Sequence, residues 1–364
     1  MKISLLIFLI MTIYCTESYS ADMSKTPVIN VSAAISLDDI IDNLALKKII
    51  YVGELHDQYA HHLLQLEIIK DLYKKNTRIT IGMEMFARVY QSHIDNYING
   101  KISEREFLKS SRYFKTWGFD YNLYRDIILF AKANNIPIIA LNIERQLVEK
   151  VAKSGLVSLT DDEREKVPDD IDLSDQEYSK RLKEIFLTHK NFKDKNFDYF
   201  FESQILWDEY MAESIYRYLK DHIDRQIIVI AGNGHISYGS GIPNRVKRRY
   251  DIDYSILLND ELVQRDIADY LLFPPAVSPI ESPKLMAVLS EENGHVKIDK
   301  FTPESIAEKA GMKKGDYILS LDNTNINNIE DVKLILFFCK PGDKLRVKIQ
   351  RDKNLNIDIL LTLK

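Results

Sequence analysis

Five short apolar runs in the N-terminal three quarters of the chain constrain its fold more than any other feature. They are rich in Ile and Val and lie at residues 48–52, 78–81, 137–141, 226–230 and 254–258. Such continuously apolar runs are typical of strands buried on both faces of a parallel sheet. Segments with helical spacing of apolar residues separate the runs, at 62–73, 89–99, 121–134 and 201–219. The alternation predicts an α/β fold, a mostly parallel sheet flanked by helices.

The pattern changes near the C-terminus, where short strands dominate. Prolines and polar residues at 276–283 predict a linker between two domains. Beyond it we predict strands and two short helices, with strands at 284–289, 296–301, 317–321, 344–350 and 355–361 and helices at 303–310 and 329–338. The organisation is therefore an α/β domain at 21–275 and a small β-rich domain at 284–364. A charged insertion at 160–184 is expected to cap one end of the first sheet.

Residues 1–20 predict a signal peptide. Lys2 supplies a positive start, an apolar stretch follows, and small residues precede a cleavage point after Ser20. The mature protein is thus expected to be exported, and to be periplasmic or envelope-associated. A lipid anchor on Cys15 is the less favoured alternative, because Tyr14 stands where lipoprotein signals carry a small residue. Without Cys15 the chain keeps Cys339 alone, which excludes an intrachain disulfide and a zinc site built on Cys.

The overall charge argues against one class of partner. The formal net charge is −5 at pH 7. Proteins that bind nucleic acid are typically basic, so no nucleic-acid partner is expected.

Polar residues follow four of the predicted strands at the point where each strand ends. These residues are Glu54, His56, Glu84, Asn142, Glu144, Asn233 and His235. Ligands of open parallel sheets bind beyond the carboxyl ends of the strands, so these side chains are expected to share one edge. Such groups are able to hold a divalent metal or to transfer protons. The alternative is that each of them only caps a helix or satisfies a local hydrogen bond.

Two Gly-x-x-His motifs, Gly53 to His56 and Gly232 to His235, favour the shared site. We expect each glycine to allow a sharp turn that points its histidine back over the sheet. Two histidines on the helix after the first motif, His61 and His62, are expected to face solvent.

The N-terminal domain resembles a known family in an ordered series of stretches. They are VGELH at 52–56, GMEMF at 82–86, IIALN at 138–142, QILWD at 204–208 with Met211 and Ala212, and AGNGH at 231–235. This series is similar to the ChaN-like haem-binding uptake family, within the Tiki and erythromycin-esterase superfamily. The resemblance implies an exported, iron-related protein that binds haem, in the type member as haems stacked face to face in a dimer. A homodimer is accordingly one expected assembly.

The resemblance also implies which residues form the site. Under the haem-binding hypothesis the cofactor-binding residues are Glu54, His56, Glu84, Asn142 and His235. A Tyr phenolate or a His can ligate the iron of haem, and the candidate tyrosines of the N-terminal half are Tyr59, Tyr90, Tyr113, Tyr121 and Tyr124. Packing is the alternative role of each tyrosine.

The Tiki branch of the superfamily carries a different chemistry. There, two similar motifs and a Glu support metal-dependent peptide cleavage, which implies His56, Glu84 and His235 as ligands of a divalent metal such as zinc. Glu54 is then the candidate catalytic base.

The C-terminal domain resembles a PDZ domain of the bacterial HtrA type. The resemblance rests on PESIAEKAGMKKGDYIL at 303–319 and PGDK at 341–344, where Gly311 and Gly315 stand at turns that need a positive φ. PDZ domains add a partner's C-terminal peptide as an extra strand. The peptide-binding residues so implied are Leu285, Met286, Ala287, Val288, Leu334 and Phe338. Ala287 stands where these domains usually have Gly, and its methyl group narrows the loop that would hold a peptide carboxylate. The alternative is that the PDZ fold serves only for packing or for dimer contacts.

Three functional hypotheses follow. The first is a haem-binding protein of iron uptake or handling whose PDZ module docks a peptide or an envelope protein. The second is a metal-dependent peptidase or esterase. The third is an envelope adaptor without chemistry.

Overall fold

The computed structural model describes residues 34–188, 196–278, 281–352 and 355–364. The predicted signal peptide lies outside the described residues, as do residues 279 and 280 of the predicted linker. Residues Ile35–Lys364 form one compact unit, so the two predicted domains pack together.

Six strands form the sheet of the N-terminal domain. They are β1 Ile49–Glu54, β2 Ile79–Ala87, β3 Ile138–Asn142, β4 Gln226–Gly232, β5 Tyr254–Asn259 and β6 Tyr270–Leu272. Their order across the sheet is β3-β2-β4-β1-β5-β6, and every neighbouring pair is parallel. β1, β2 and β4 are buried along their whole length. The predicted α/β fold is confirmed.

Helices cover both faces of this sheet. They are α1 Asp38–Ala45, α2 Tyr59–Lys75, α3 Gln91–Ile98, α4 Glu104–Ser110, α5 Tyr113–Thr116, α6 Asn122–Ala133, α7 Arg145–Ser154, α8 Asp161–Arg164, α9 Gln176–Thr188, α10 Phe197–Asp221 and α11 Ile242–Arg249. Alternate residues of one strand enter different cores: Ile50 and Val52 pack with α1 to α6, whereas Ile49 and Tyr51 pack with α10 and α11. Since both faces are covered, the strands are apolar without alternation.

Two predicted strand ends differ from the structure. The apolar runs predict strands that end at residues 52 and 81, just before Gly53 and Gly82, but β1 continues to Glu54 and β2 continues to Ala87. Neither glycine adopts a positive φ, so neither breaks the extended backbone. At Gly82 a Cβ would lie 3.2 Å from the side chain of Leu141, which shows close packing rather than a turn. Glu84 therefore lies on a strand and not in the loop after it.

The C-terminal domain is an antiparallel sheet with two short helices. Its elements are β7 Ala287–Glu292, β8 His295–Phe301, α12 Ile306–Lys309, β9 Tyr317–Leu321, β10 Thr324–Asn325, α13 Ile329–Phe337, β11 Lys344–Arg351 and β12 Leu355–Thr362. The order is β12-β11-β9-β8-β7, with β10 paired to β9. Gly311 and Gly315 have φ of +97° and +93°, as their turns require. The first strand begins at 287 rather than 284, because Met286 is left-handed with φ +58°.

The insertion at 160–184 divides into two parts: Val167 in the first part packs with α7 and α10, and the second part lies over one end of the first sheet. Its helix α9 brings the Tyr178 hydroxyl to 3.4 Å from the carbonyl of Gly234, just beyond β4. In the part of the chain that the structure describes, no helix is long and apolar enough to span a bilayer.

Candidate functional site

Three adjacent strands bring the polar residues of the site together. Because β2, β4 and β1 are neighbours, their carboxyl ends meet at one edge. Glu84 of β2 accepts a hydrogen bond from the Gly232 amide of β4 at 2.8 Å. Its other oxygen lies 3.6 Å from Nε2 of His235. Glu54 and His56 follow from β1, so the predicted shared edge holds four of its residues close together.

The two glycines permit this approach by having no side chain, rather than by making turns. A Cβ on Gly232 would lie 2.9 Å from Cε1 of His56 and 3.7 Å from Oε2 of Glu84. A Cβ on Gly53 would lie 2.1 Å from Oδ1 of Asn233. Neither glycine has a positive φ, so the expected turn is wrong. The glycine of each motif instead leaves room for a side chain from the neighbouring strand end, so that β1 and β4 approach closely there.

Glu54 is the hub of a buried hydrogen-bond network. Its side chain is inaccessible to solvent, and its Oε1 accepts hydrogen bonds from the Tyr124 hydroxyl at 2.6 Å and from Nδ1 of His56 at 2.8 Å. Its Oε2 accepts from Gln65 at 2.9 Å and lies 3.4 Å from Nδ1 of His62. Burial raises the pKa of this carboxyl, but His62 and His56 outweigh burial and hold the pKa well below its usual range. Glu54 is thus a fixed anion whose oxygens are already occupied.

His56 is the accessible member of the site. Its side chain is 26% exposed, and the ring lies 4.9 Å from Trp117 and 5.0 Å from Phe119, centroid to centroid. Burial lowers the pKa of His56, but the hydrogen bond to Glu54 and the charge of Glu84 raise it overall. Since Glu54 holds Nδ1, Nε2 is the ring nitrogen left to meet a ligand.

His235 has a similar anchor on its own side of the site. Its Nδ1 lies 2.6 Å from Oδ1 of Asp208, and the other oxygen of Asp208 accepts from the Tyr178 hydroxyl at 2.8 Å. Burial lowers the pKa of His235, but Glu84 and Asp208 outweigh it and raise the pKa to about 9. The indole of Trp207 lies 5.0 Å from the imidazole. At neutral pH this imidazole is therefore positively charged.

The remaining strand-end residues support the site from outside. Nδ2 of Asn142 donates to the backbone carbonyl of Glu84 at 2.8 Å. Asn233 turns away and donates to the carbonyl of Asn259 at 2.9 Å. Glu144 stands at the N-terminal cap position of α7, but its side chain makes no capping hydrogen bond there.

The expectation that His61 and His62 face solvent is wrong. Both are buried, at 0% and 1% exposure. His61 accepts from the Leu55 amide at 3.0 Å and pairs with Asp260 at 2.8 Å, while Nε2 of His62 bonds the carbonyl of His56 at 3.1 Å. The first turn of α2 packs beneath the loop after β1, so these polar side chains hold that loop.

Three of the candidate tyrosines are internal. Tyr113, Tyr121 and Tyr124 are fully buried, and burial raises the pKa of each hydroxyl well above its usual value. A phenolate ligand needs the opposite shift, so these three are poor candidates for binding iron.

Sequence reasoning missed the residues that anchor the two histidines. Asp208 was noted only within the stretch 204–208, Tyr124 was considered only as a ligand of iron, and Gln65 and Tyr178 were not assigned to the site. One signal was present: Asp208 and Glu209 stand on the buried face of α10, where both are 0% exposed. Charged residues at core positions need partners.

A metal centre is not preformed here. Among the residues that the structure describes, no three His, Cys, Asp or Glu side chains are grouped so that they could hold a metal ion. The two carboxylate-anchored histidines nevertheless have the outer-sphere hydrogen bonds that metal-ligating histidines usually have.

The residues predicted to bind a peptide lie in two places. Leu285 is buried, Met286 and Ala287 are half-buried, and Val288 is 38% exposed on β7. β7 stands at the end of its sheet, as strand addition requires. Leu334 is 7% exposed and packs into the core of the N-terminal domain, and Phe338 packs against the same core.

Two family models match the sequence. The model for haem-binding uptake, Tiki superfamily, ChaN matches residues 40–246. A PDZ-domain model matches residues 283–361. A comparison with curated proteins gives no match.

Solved structures with a similar fold include one described as cofacial haem binding to ChaN of Campylobacter jejuni. It is 22% identical, covers 65% of this chain and 91% of its own, and has a TM-score of 0.54. A mutant of the erythromycin esterase EreC in its open conformation is 15% identical over 61% of this chain and 72% of its own, with a TM-score of 0.38. A serine endoprotease from Yersinia pestis is 22% identical over 23% of this chain and 29% of its own, with a TM-score of 0.21. The first of these confirms the fold of the N-terminal domain.

Proposed function

The chain belongs to the ChaN-like haem-binding uptake family of the Tiki superfamily, and from this premise we propose that it is an exported haem-binding protein of iron uptake or handling. Its PDZ module docks a partner in the cell envelope, and its N-terminal domain carries the haem site.

The observation that carries the proposal is the environment of His56. A buried carboxylate holds Nδ1 at 2.8 Å, which leaves Nε2 to donate to a metal and increases its basicity. Trp117 and Phe119 flank the partly exposed ring, and aromatic faces suit a flat apolar macrocycle. These residues therefore fit haem, and His56 would hold its iron through Nε2. Glu54 and Tyr124 hold this histidine in place.

A titration with hemin tests this assignment by absorbance. We expect a saturable Soret shift at about one haem per chain, and an affinity lowered at least ~10-fold in His56→Ala. His295→Ala is the matched control, because it removes an exposed imidazole of the PDZ domain. No saturable shift in the wild type excludes haem carriage. An unchanged spectrum and affinity in His56→Ala place the haem elsewhere, such as a dimer face.

A metal-dependent hydrolase is the second candidate, and a specific observation favours it. His56 and His235 are each anchored through Nδ1 by a carboxylate, and Glu84 lies beside both. To hold a divalent metal such as zinc, these three side chains would have to move closer together, since the described structure does not group them for a metal. The metal would also have to displace the proton of His235, whose pKa is about 9. With Glu54 fully engaged, we assign it the positioning of His56 rather than the role of base.

Metal analysis and a screen with peptide and ester substrates decide between the candidates. Bound metal and turnover that both disappear in Glu84→Gln support the hydrolase. Hemin binding without metal or turnover supports the first proposal. The absence of all three leaves the adaptor.

Peptide docking and export are tested separately. We propose that a C-terminal peptide adds to the free edge of β7. A library of peptides with free C-terminal carboxylates is expected to bind, whereas the amidated set is not.

Export predicts a mature N-terminus at Ala21, which mass spectrometry of the secreted protein measures. An unprocessed chain retained in the cytoplasm contradicts export.

A further inference from the structure

The PDZ helix α13 is buried on two opposite faces. Val332, Ile335 and Leu336 pack into the core of the PDZ domain itself. Leu334 and Phe337, at 7% and 8% exposure, instead belong to the core of the N-terminal domain. The helix that lines one side of a PDZ peptide groove is therefore also an interface between the two domains.

The opposing surface is a short run of residues at 112–121, which we call the aromatic segment. The ring of Phe337 lies 6.0 Å from Phe114 and 5.2 Å from Tyr121 of this segment. The ammonium group of Lys333 lies 3.5 Å from the carbonyl of Phe114. These contacts bury the apolar side chains of Leu334 and Phe337 on the outer face of the helix.

Charges fix the position of the same contact. Arg112 donates to Glu330 at 3.0 Å, and Lys115 lies 3.8 Å from the same carboxylate. At the far end of the segment, Asp120 accepts from the Ser282 amide at 3.0 Å. The PDZ domain and the chain leading into it thus hold the aromatic segment at both ends.

The aromatic segment leads directly into the candidate site. Trp117 and Phe119 belong to it, and their rings lie within 5.0 Å of the His56 ring. A displacement of the segment by the width of a side chain would change both the exposure of His56 and the ring faces beside it.

Three buried hydroxyls in and beside the segment contribute no hydrogen bond to its position. Within the described residues, the buried hydroxyls of Tyr113 and Tyr121 have no partner, and neither does that of Ser111 just before the segment. Unpaired buried groups oppose the packed arrangement. The packing of these rings, including that of Tyr121 against Phe337, therefore compensates for the unpaired hydroxyls.

We propose that the outer face of α13 is a docking surface for the aromatic segment of the same chain, and that it thereby sets Trp117 and Phe119 against His56. The PDZ domain is on this account a structural part of the N-terminal site, whatever ligand that site takes. Loosening the contact moves Trp117 and Phe119 away from His56.

Hydrogen exchange on the full-length mature chain tests the proposal. In Phe337→Ala we expect amides 113–121 to exchange at least ~5-fold faster. Leu360→Ala is the matched control, because it removes an exposed apolar side chain of β12, whose neighbours Ile359 and Leu361 are the ones that enter the PDZ core. Unchanged exchange at 113–121 in Phe337→Ala overturns the proposal.

If Phe337→Ala unfolds the PDZ domain, the amides of β9 and β11 also lose their protection from exchange. A charge exchange between two residues of the contact then provides an independent test. Glu330→Arg and Arg112→Glu are each expected to speed exchange at 113–121, and the double variant to restore it. In a Trp207→Phe background, the fluorescence of Trp117 is expected to change in each single variant and to return to the starting value in the double variant. The proposal is overturned if the single variants have no effect, or if the double variant exchanges as fast as the single variants.

Discussion

Replacing Asp208 by Asn tests whether a buried carboxylate keeps His235 charged. Asp208 is 0% exposed and lies 2.6 Å from Nδ1 of His235. Asn has the same shape and keeps an acceptor for Nδ1, so the change removes charge with little loss of packing. Glu84, at 3.6 Å from Nε2, is left as the nearby anion.

The size of the effect follows from the pKa of His235. A pKa of about 9, against an ordinary 6.5, corresponds to about 3 kcal/mol of stabilisation of the charged form. Because the pKa is raised in the folded state, this contribution is full below about pH 6.5 and is lost as the pH rises through 9. An ionised neighbour in hydrogen-bond contact accounts for about 1–2 pKa units. In Asp208→Asn we therefore expect the contribution of His235 to fall by about 1–3 kcal/mol.

Two measurements check this. Urea unfolding at pH 6, 8 and 10 gives the pH dependence of the free energy of unfolding, which is expected to flatten in Asp208→Asn relative to wild type. NMR titration of the His235 ring gives its pKa directly. Asp57→Asn, which removes an exposed carboxylate near the site, should leave both unchanged. A His235 pKa that stays near 9 in Asp208→Asn would refute the argument, since Glu84 alone would then account for it.

Three further predictions concern the same edge of the sheet. Gly232→Ala brings a Cβ to 2.9 Å from His56 and is expected to cost about 1–3 kcal/mol of unfolding free energy in urea; Gly234→Ala, where a Cβ meets nothing within 4 Å, is its control. Glu54→Gln is expected to lower the pKa of His62 in an NMR titration and to cost about 1–3 kcal/mol; an unshifted His62 argues against the network. Hemin affinity is expected to rise from pH 6 to 8, because His56, with its raised pKa, must lose a proton to ligate iron. A flat affinity profile contradicts His56 ligation.

Much of the fold was predictable because the signals are local. Ile- and Val-rich runs identify strands wherever both faces of a sheet are covered, and five of the six strands of the first sheet were found in this way. β6, Tyr270–Leu272, has three half-buried residues and lies at the sheet edge, so no strong apolar run indicates it. The ends of β1 and β2 were misplaced because glycine has two uses: it breaks a strand, or it lets another chain approach closely.

The candidate site was only partly predictable. Its strand-end residues follow from the topology of a parallel sheet, which brings the carboxyl ends of β1, β2 and β4 together. The anchors Asp208 and Tyr178 come from α10 and α9. Both are far from His235 along the chain, so no local sequence pattern predicts that Tyr178 contacts Asp208 and that Asp208 contacts the histidine. Whether His62 faces solvent or Glu54 depends on which side of α2 packs on the sheet.

The sequence by itself determined the class of fold, the two-domain order, the family and the list of polar residues at the sheet edge. These follow from periodicity and motif spacing, which are properties of neighbouring residues. Only the tertiary structure decided which carboxylates hold which histidines, and that the outer face of α13 packs against the aromatic segment. Both depend on contacts between residues far apart in the chain, where burial and mutual distance set the pKa values and hydrogen bonds, and no local pattern encodes that distance.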